Sequence, residues 1–238
     1  MMPSSSKNIA TKINPVSAPY PSGSHAILGG YRTKICGMKY PENMLKIALL
    51  LPDYMGFIFW DKSTRYFTGE IPKLPASIKK VGVFVREDIS VILAKAEKYN
   101  LQAIQLHGNE SVAYCTTLKN ELKGQEIEII KVFSIKDTFD FQDIIPFEPL
   151  CHYFLFDTKG KLPGGNGETF DWQVLQKYNS KKPFFLSGGI GLDEVPLVKQ
   201  ILKTNLPLYA LDLNSKFEVE PGLKDITLLQ KLQHNLQL

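Results

Sequence analysis

The sequence has few cysteines and no paired arrangement of them, which argues against two common ways of stabilising a domain. Cysteine occurs three times in 238 residues, at Cys36, Cys115 and Cys151. An odd number of cysteines without a C-x-x-C pair supports neither a disulfide framework nor a structural zinc site. Reduced thiols are typical of cytoplasmic proteins, so we expect a cytoplasmic location and no bound metal.

Long hydrophobic runs and concentrated positive charge are also missing. The most apolar stretch, 47–60, is interrupted by Pro52 and Asp53 and is too short to span a bilayer, so no membrane association is expected. The formal net charge is +4 and the basic residues are scattered, which gives no reason to expect a nucleic-acid partner. The first residues are polar and rich in serine, where a signal peptide would need an apolar core.

The order of apolar segments indicates the fold. Residues 1–31 lack periodicity and are interpreted as a flexible or loosely packed N-terminal extension. From residue 32 onward, short runs rich in β-branched and aromatic residues alternate with helical spacing, weakly after the second and fifth runs. The strand-like runs are 33–36, 54–60, 81–85, 103–107, 128–134, 153–157, 183–187 and 208–213. The helical segments are 41–51, 89–99, 110–122, 192–202 and 224–236. This alternation predicts an α/β protein with a single (β/α)8 TIM barrel over residues 32–238.

A doubly wound open sheet would give the same alternation of strands and helices. Such a sheet usually carries a G-x-G-x-x-G fingerprint after its first strand. Here the first turn is Cys36-Gly37-Met38-Lys39, which lacks that fingerprint. The barrel is therefore preferred, and polar residues at its strand ends become candidate site residues because the loops after the strands converge on one face.

Two chemically complementary side chains end apolar runs of the predicted barrel. Cys36 ends the first run and Asp157 ends the sixth. Most free cysteines are small buried hydrophobes, and an aspartate at a strand end can simply cap the next loop. On the rim of a barrel, however, the pair suits proton transfer. As a base, Cys36 would have to be a thiolate, which requires a nearby positive charge or a helix N-terminus.

Other strand ends supply groups suited to an anionic ligand. Arg65 is either solvated or placed to clamp a carboxylate with its planar fork. His107 is a structural partner or a supporting group, and no second ligand is spaced to make a metal site with it. The glycine-rich segment 159–168, longer than a connection needs, predicts a lid that closes over a substrate.

The last two loops predict a phosphate site. Gly188 and Gly189 precede a helix, where backbone N–H groups and the helix dipole favour an anion. The eighth loop, 212–218, adds hydroxyl, amide and ammonium donors. Barrels frequently bind phosphate between the seventh and eighth loops, so the order of these two loops supports the assignment.

Several motifs occur in a specific order from about residue 32 to the C-terminus. They are 34–37 (KICG), 62–66 (KSTRY), 105–108 (QLHG), 157–172 with its GGNG, 187–190 (SGGI), 214–218 (NSKFE), 221–222 (PG) and 224–225 (KD). Together they resemble the phosphoribosylanthranilate isomerase family of tryptophan biosynthesis. The resemblance implies a (β/α)8 barrel that needs no cofactor. It also implies an Amadori rearrangement of N-(5-phosphoribosyl)anthranilate to 1-(2-carboxyphenylamino)-1-deoxyribulose 5-phosphate.

The resemblance also implies residue roles. Asp157 would be the general acid that protonates the furanose oxygen, and Cys36 the general base that removes the C2′ proton. Arg65 would meet the anthranilate carboxylate, while the two glycine- and serine-containing loops would bind phosphate. The assigned substrate-binding residues are Arg65, His107, Gly165, Gly188, Gly189, Asp212, Asn214 and Ser215. The expected partner is a small anion carrying a phosphate and a carboxylate, bound by a monomer or homodimer.

Two positions depart from the family pattern. Lys216 stands where the family commonly has glycine, and Asn166 replaces a usual small hydroxyl residue in the lid.

The related isomerase of histidine biosynthesis pairs two aspartates, and indole-glycerol-phosphate synthase needs a lysine and glutamate set that is not found here. A catalytically silent barrel that binds a phosphorylated ligand is the alternative of another class, although a pure binder needs neither Cys36 nor Asp157.

Overall fold

A computed structural model describes residues 31–136, 138–158 and 171–237. Within them, eight parallel strands close into a barrel in chain order, and the eighth strand pairs with the first. The strands are β1 Arg32–Ile35, β2 Tyr54–Ile58, β3 Lys79–Phe84, β4 Ala103–Leu106, β5 Glu128–Ile135, β6 Tyr153–Thr158, β7 Phe184–Leu186 and β8 Leu208–Leu213. The helices are α1 Pro41–Ala48, α2 Ile89–Tyr99, α3 Val112–Glu121, α4 Val195–Leu202 and α5 Ile226–Gln237. The predicted (β/α)8 barrel is confirmed, whereas the proposed N-terminal extension falls almost entirely outside the described residues.

The strands are buried on both faces, as expected for a parallel sheet covered by helices. Successive side chains point to opposite sides of the sheet. One set fills the barrel interior, and the alternate set packs beneath the surrounding helices and loops. The interior set is Tyr54, Val81, Ala103, Ile130, Val132, Leu155, Phe185 and Ala210. Two hydrophobic layers, one inside the barrel and one outside it, therefore stabilise the strands and so position their ends.

Among the described residues, no α-helix follows β2, β5 or β6, although the sequence predicted weak helical spacing only after the second and fifth runs. A loop follows β2, and 3-10 helices at Phe141–Phe147 and Trp172–Lys177 follow β5 and β6. Pro146 lies inside the first of these, where it removes a backbone donor that an α-helix would need. In the sixth connection, the Asp171 side chain accepts a hydrogen bond from the backbone N–H of Gln173 at 3.0 Å, and Trp172 is buried.

Proline and asparagine mark helix boundaries as their backbone preferences require. Pro41 and Pro196 lie in the first turns of α1 and α4, where a missing N–H is tolerated. Asn100 ends α2 in a left-handed conformation, which asparagine adopts more readily than most residues. None of the helices described here is long and apolar enough to cross a bilayer.

Candidate active site

An open cleft lies at the carboxyl ends of the barrel strands. Its empty volume is about 730 Å³. The predicted site residues that line it are Cys36, Arg65, His107, Asp157, Gly188, Gly189, Asp212, Asn214 and Ser215. Gly165, Asn166 and the predicted lid lie outside the described residues. The cleft thus joins residues that the sequence separates by more than a hundred positions.

Cys36 lies on one wall of this cleft, immediately after β1. It is 3% exposed and lies beside Lys34, which precedes it by two residues and is fully buried. A Cβ atom on Gly56 of β2 would lie 2.8 Å from Cys36 Sγ and 3.3 Å from Lys34 Cε. The thiol and the lysine side chain therefore share one small space, which requires glycine on the neighbouring strand. Lys34 Nζ also donates to Asp212 Oδ1 at 2.7 Å.

Burial and charge act in opposite directions on the Cys36 thiol. Burial raises the pKa of Cys36 above its ordinary value, and the Lys34 ammonium opposes this most strongly. Asp212 raises the pKa further, whereas Lys224 lowers it. The nearby cation that a thiolate requires is present, but burial outweighs it, so the thiol form predominates at neutral pH. Burial also disfavours the charge on Lys34, yet Asp212 and Cys36 together raise its pKa, so Lys34 stays an ammonium ion.

Asp157 is held on the opposite wall by two hydrogen bonds. The side chain is 5% exposed, and Oδ1 accepts from the Thr158 backbone N–H at 2.9 Å. Oδ2 lies 3.2 Å from Nε2 of His107, which follows β4. His107 is therefore a hydrogen-bond partner of the predicted acid.

Gln105 on β4, two residues before His107, contacts the other ring nitrogen of His107. Its side-chain nitrogen lies 2.9 Å from Nδ1 of His107. If the amide donates there, Nδ1 is the accepting nitrogen and the ring proton sits on Nε2, facing Asp157. Gln105 Oε1 is buried and has no hydrogen-bond partner among the described residues. Gln105 lines the cleft, so this oxygen is an acceptor next to the ligand space.

Arg65 is already engaged by a protein carboxylate. Its Nε donates to both carboxylate oxygens of Glu218 at 2.9 and 3.0 Å, and its Nη2 donates to Oε2 at 2.6 Å. Lys224 Nζ donates to the same carboxylate at 2.6 Å. These contacts fix the plane of the guanidinium group, and none of the hydrogen bonds found for Arg65 in the described part of the chain uses Nη1.

Burial and neighbouring charges both change the pKa values of the residues around Arg65. Burial lowers the pKa of Lys224 to about 8, although Glu218 opposes the shift. Burial would raise the pKa of Glu218, but hydrogen bonds from Arg65 and Lys224 outweigh it and lower that pKa. Two cations therefore share one carboxylate, which leaves a net positive charge beside the cleft at neutral pH.

The loop after β7 has a backbone suited to an anion. Gly188 and Gly189 adopt φ values of 87° and 65°, in the left-handed region that favours glycine. A Cβ on Gly188 would lie 2.2 Å from Thr158 Oγ1, so no other residue fits there. Backbone N–H groups in such a turn can form a concave anion-binding nest.

The loop after β8 approaches the same region. Asn214 Oδ1 accepts from Lys224 Nζ at 2.8 Å, and Asp212 Oδ2 accepts from the Ser187 hydroxyl at 3.3 Å. The stem of Lys216 lies 3.3 Å from the Cβ position of Gly191, and Lys216 lines the cleft. The lysine that departs from the family pattern thus brings a cationic side chain to the loop predicted to bind phosphate.

Four residues that line the cleft or contact side chains lining it had no role in the sequence interpretation. They are Lys34, Gln105, Glu218 and Lys224, although all four lie inside the motifs that carried the resemblance. Lys34 and Gln105 precede Cys36 and His107 by two positions, so strand alternation places each on the same face as its neighbour. That spacing was the available signal. The pairing of Glu218 with Arg65 crosses 153 positions and had no comparable signal.

The closed barrel, with acidic, thiol and cationic groups around its carboxyl-end cleft, is that of a TIM-barrel enzyme. Residues 33–235 match the family model for N-(5′-phosphoribosyl)anthranilate (PRA) isomerase. The chain belongs to this family, and the resemblance found in the sequence is confirmed. Membership makes the chain an isomerase of the aldose–ketose type, in tryptophan biosynthesis.

Relatives and solved structures support the family assignment over nearly their full lengths. The N-(5′-phosphoribosyl)anthranilate isomerase of Phocaeicola vulgatus is 41% identical over 208 residues, covering 86% of this chain and 98% of the relative. The crystal structure of the isomerase from Thermotoga maritima matches with a TM-score of 0.72 and 29% identity, over 87% of this chain and 98% of that one. An isomerase solved with reduced 1-(o-carboxyphenylamino)-1-deoxyribulose 5-phosphate matches with a TM-score of 0.70 and 27% identity, over the same shares.

Proposed function

We propose that this chain catalyses the Amadori rearrangement of N-(5-phosphoribosyl)anthranilate, with Asp157 as general acid and Cys36 as general base. The observation that supports this proposal most strongly is that both side chains line one cleft. Their strands, β6 and β1, are three positions apart in a ring of eight, which places them on nearly opposite walls. A sugar held between them would meet an acid on one side and a base on the other. The bound product analogue named for a solved relative supports this class of substrate.

In the first step, Asp157 gives its proton to the furanose ring oxygen. The C1′–O bond breaks, and the nitrogen lone pair forms the C1′=N bond of a Schiff base. The hydrogen bond between His107 and Asp157 fixes the orientation of the carboxyl group. General acid catalysis requires this proton to lie within hydrogen-bonding reach of the leaving oxygen.

In the second step, the Cys36 thiolate removes the proton from C2′. An S–H bond forms, the C2′–H bond breaks, and its electrons form the enolamine that tautomerises to the ketone. The acid must begin protonated and the base deprotonated at the same pH. A cation adjoins Cys36 and opposes the burial that favours its thiol form, whereas His107 and a backbone N–H hold the Asp157 carboxyl group in place.

The two anionic ends of the substrate have separate binding groups. The Nη1 edge of Arg65 would hold the anthranilate carboxylate, while Gly188, Gly189 and the loop at Asn214 and Ser215 would hold the phosphate. Glu218 orients Arg65 in advance, which reduces the side-chain entropy lost when a carboxylate binds. A monomeric or homodimeric state and the absence of a cofactor stay predictions. One solved relative is described as monomers generated from a dimeric isomerase of Thermotoga maritima.

Turnover of the fluorescent anthranilate substrate tests the acid and base roles. We compare the wild type with Cys36→Ser and Asp157→Asn, and with Cys115→Ala as a buried-cysteine control outside the cleft. Loss of one acid–base group is expected to lower kcat by about 10²- to 10⁴-fold, whereas the control keeps its kcat. Robust activity of Asp157→Asn would overturn the mechanism. Inactivity of the wild type itself would favour a barrel that only binds the phosphorylated ligand.

A further inference from the structure

Lys34 is a buried charge that the proposed mechanism does not use. It is fully buried in the barrel, with its ammonium group 2.7 Å from Asp212 and its stem beside Cys36 Sγ. A buried ion pair is seldom more stabilising than apolar residues of similar size. Stability therefore gives no reason for a Lys–Asp pair at this place, whereas the neighbouring thiol does.

We propose that Lys34 is a positioning residue that stabilises the Cys36 thiolate, and that Asp212 holds Lys34 in place and limits this stabilisation. The inference deepens the proposed function, since it rests on Cys36 acting as the base. The ionisation concerned is simple: Cys36 Sγ loses its proton to solvent in the cleft, and the sulfur anion is left beside an ammonium group. Each later C2′ proton that Sγ accepts must leave by the same ionisation, so Lys34 acts in every turnover.

The other charges around Cys36 come from several elements. Asp212 on β8 makes the thiolate less favourable, and Lys224 makes it more favourable. The Arg65–Glu218 pair adjoins Lys224, while His107 and Asp157 occupy the opposite wall. Lys34 is the strongest of the influences that favour the thiolate. Removing Lys34 and removing the Asp212 charge should therefore shift the Cys36 ionisation in opposite directions.

The test is the pH dependence of Cys36 alkylation by iodoacetamide in the full-length chain. Only the thiolate reacts, so the midpoint of the rate profile reports the ionisation of Cys36. Mass spectrometry of the separated peptides distinguishes Cys36 from Cys115 and Cys151. The profile midpoint is used instead of the absolute rate, because the midpoint does not depend on how easily the reagent reaches the buried thiol.

Lys34→Met should move the midpoint to higher pH, and the rate at neutral pH should fall about tenfold for every pH unit by which the midpoint rises. Asp212→Asn, which is nearly isosteric, should move the midpoint to lower pH and raise the neutral-pH rate. Lys131→Met is the matched control: Lys131 is also buried and paired with a carboxylate, Glu110, but it is not among the charges that act on Cys36. The control should leave the Cys36 midpoint unchanged.

Two results would overturn the inference. One is an unchanged Cys36 midpoint in folded Lys34→Met, with folding checked by circular dichroism. The other is a midpoint at higher pH in Asp212→Asn, which decides the question even if Lys34→Met does not fold. Failure of the proposed function would look different: the midpoints would move as expected, but Cys36→Ser would keep its turnover.

Discussion

The two ends of the barrel interior both contain buried polar groups, but they use them differently. At the amino end, the Tyr54 hydroxyl donates to Glu128 at 3.0 Å and contacts the Tyr209 hydroxyl at 3.2 Å. Tyr153 and Phe185 stack edge-on beneath them, and Lys79 pairs with Glu128. At the carboxyl end, Cys36, His107, Asp157 and Asp212 line an open cleft, and Lys34 is buried against Asp212.

The difference is in what remains available to a ligand. Aromatic rings and hydrogen bonds within the protein fill the amino end, so its polar groups mainly satisfy one another. At the carboxyl end, no hydrogen bond within the described ranges involves Arg65 Nη1 or Gln105 Oε1, and the turn at Gly188 has a backbone suited to an anion. Polar groups in the barrel interior therefore do not by themselves indicate a ligand site. Polar groups that line an open cleft do.

Of the measurements that compare the two ends, the largest effect is expected at the carboxyl end, for Arg65→Lys. An ammonium group cannot reproduce the planar contacts to Glu218 and a carboxylate at the same time. Hydrogen bonds to charged groups contribute about 1.5–3 kcal/mol, so KM should rise about 10- to 100-fold. Steady-state kinetics with the anthranilate substrate measures this. The matched control is Arg32→Lys at the amino end, where Arg32 lies over the Tyr209 ring, and an equal rise in KM there would contradict the comparison.

At the amino end, Tyr54→Phe is expected to have a smaller effect, and to change stability instead of KM. This substitution removes only the hydroxyl that donates to Glu128, and it should cost about 1–3 kcal/mol of stability. Neither kcat nor KM should change, because Tyr54 is remote from the cleft. Urea unfolding and steady-state kinetics on the same sample measure both quantities. Loss of turnover without loss of stability would show that the two ends do not divide these tasks.

The smallest effect concerns the pH dependence of stability. Burial lowers the pKa of Lys224 from 10.5 to about 8, so between these values the unfolded chain binds this proton more tightly than the folded chain. The Lys224 contribution to folding therefore becomes more favourable as the pH rises from about 8 toward 10.5, and its cost is fully present below pH 8. Urea unfolding of the wild type and Lys224→Met at several pH values isolates this contribution. A wild type that loses stability relative to the variant over this range would show the wrong sign.

Most of the fold could be predicted because the strands and helices have strong local patterns. The helical segment 89–99 and the strand-like run 208–213 coincide with α2 and β8. The short 3-10 helices could not be told from weak α-helices by spacing alone. The boundary between the extension and the barrel stays a prediction, as do the cytoplasmic location and the expectation of no nucleic-acid partner.

The site was predictable as a set of strand-end residues, but its internal pairing was not. Cys36 and His107 directly follow strands and Asp157 lies near the end of β6, so the three had to meet on one rim. The pairing of Lys34 with Asp212 spans 178 positions, and the pairing of Arg65 with Glu218 spans 153. Lys34 and Asp212 lie opposite each other in the register of β1 and β8, so their contact depends on how the barrel closes, and the second contact depends on where the segments after β2 and β8 meet. The sequence therefore indicated where an arginine and a thiol lie, but not which charges hold them.

The most direct test of the proposed acid and base is a crystal structure of this protein with reduced 1-(2-carboxyphenylamino)-1-deoxyribulose 5-phosphate. We predict the phosphate at Gly188 and Gly189, the aryl carboxylate at Arg65, and C2′ closer to Cys36 Sγ than to the Asp157 carboxyl group. A complex with C2′ against Asp157, or with both anionic groups on the same loop, would contradict the proposed acid and base.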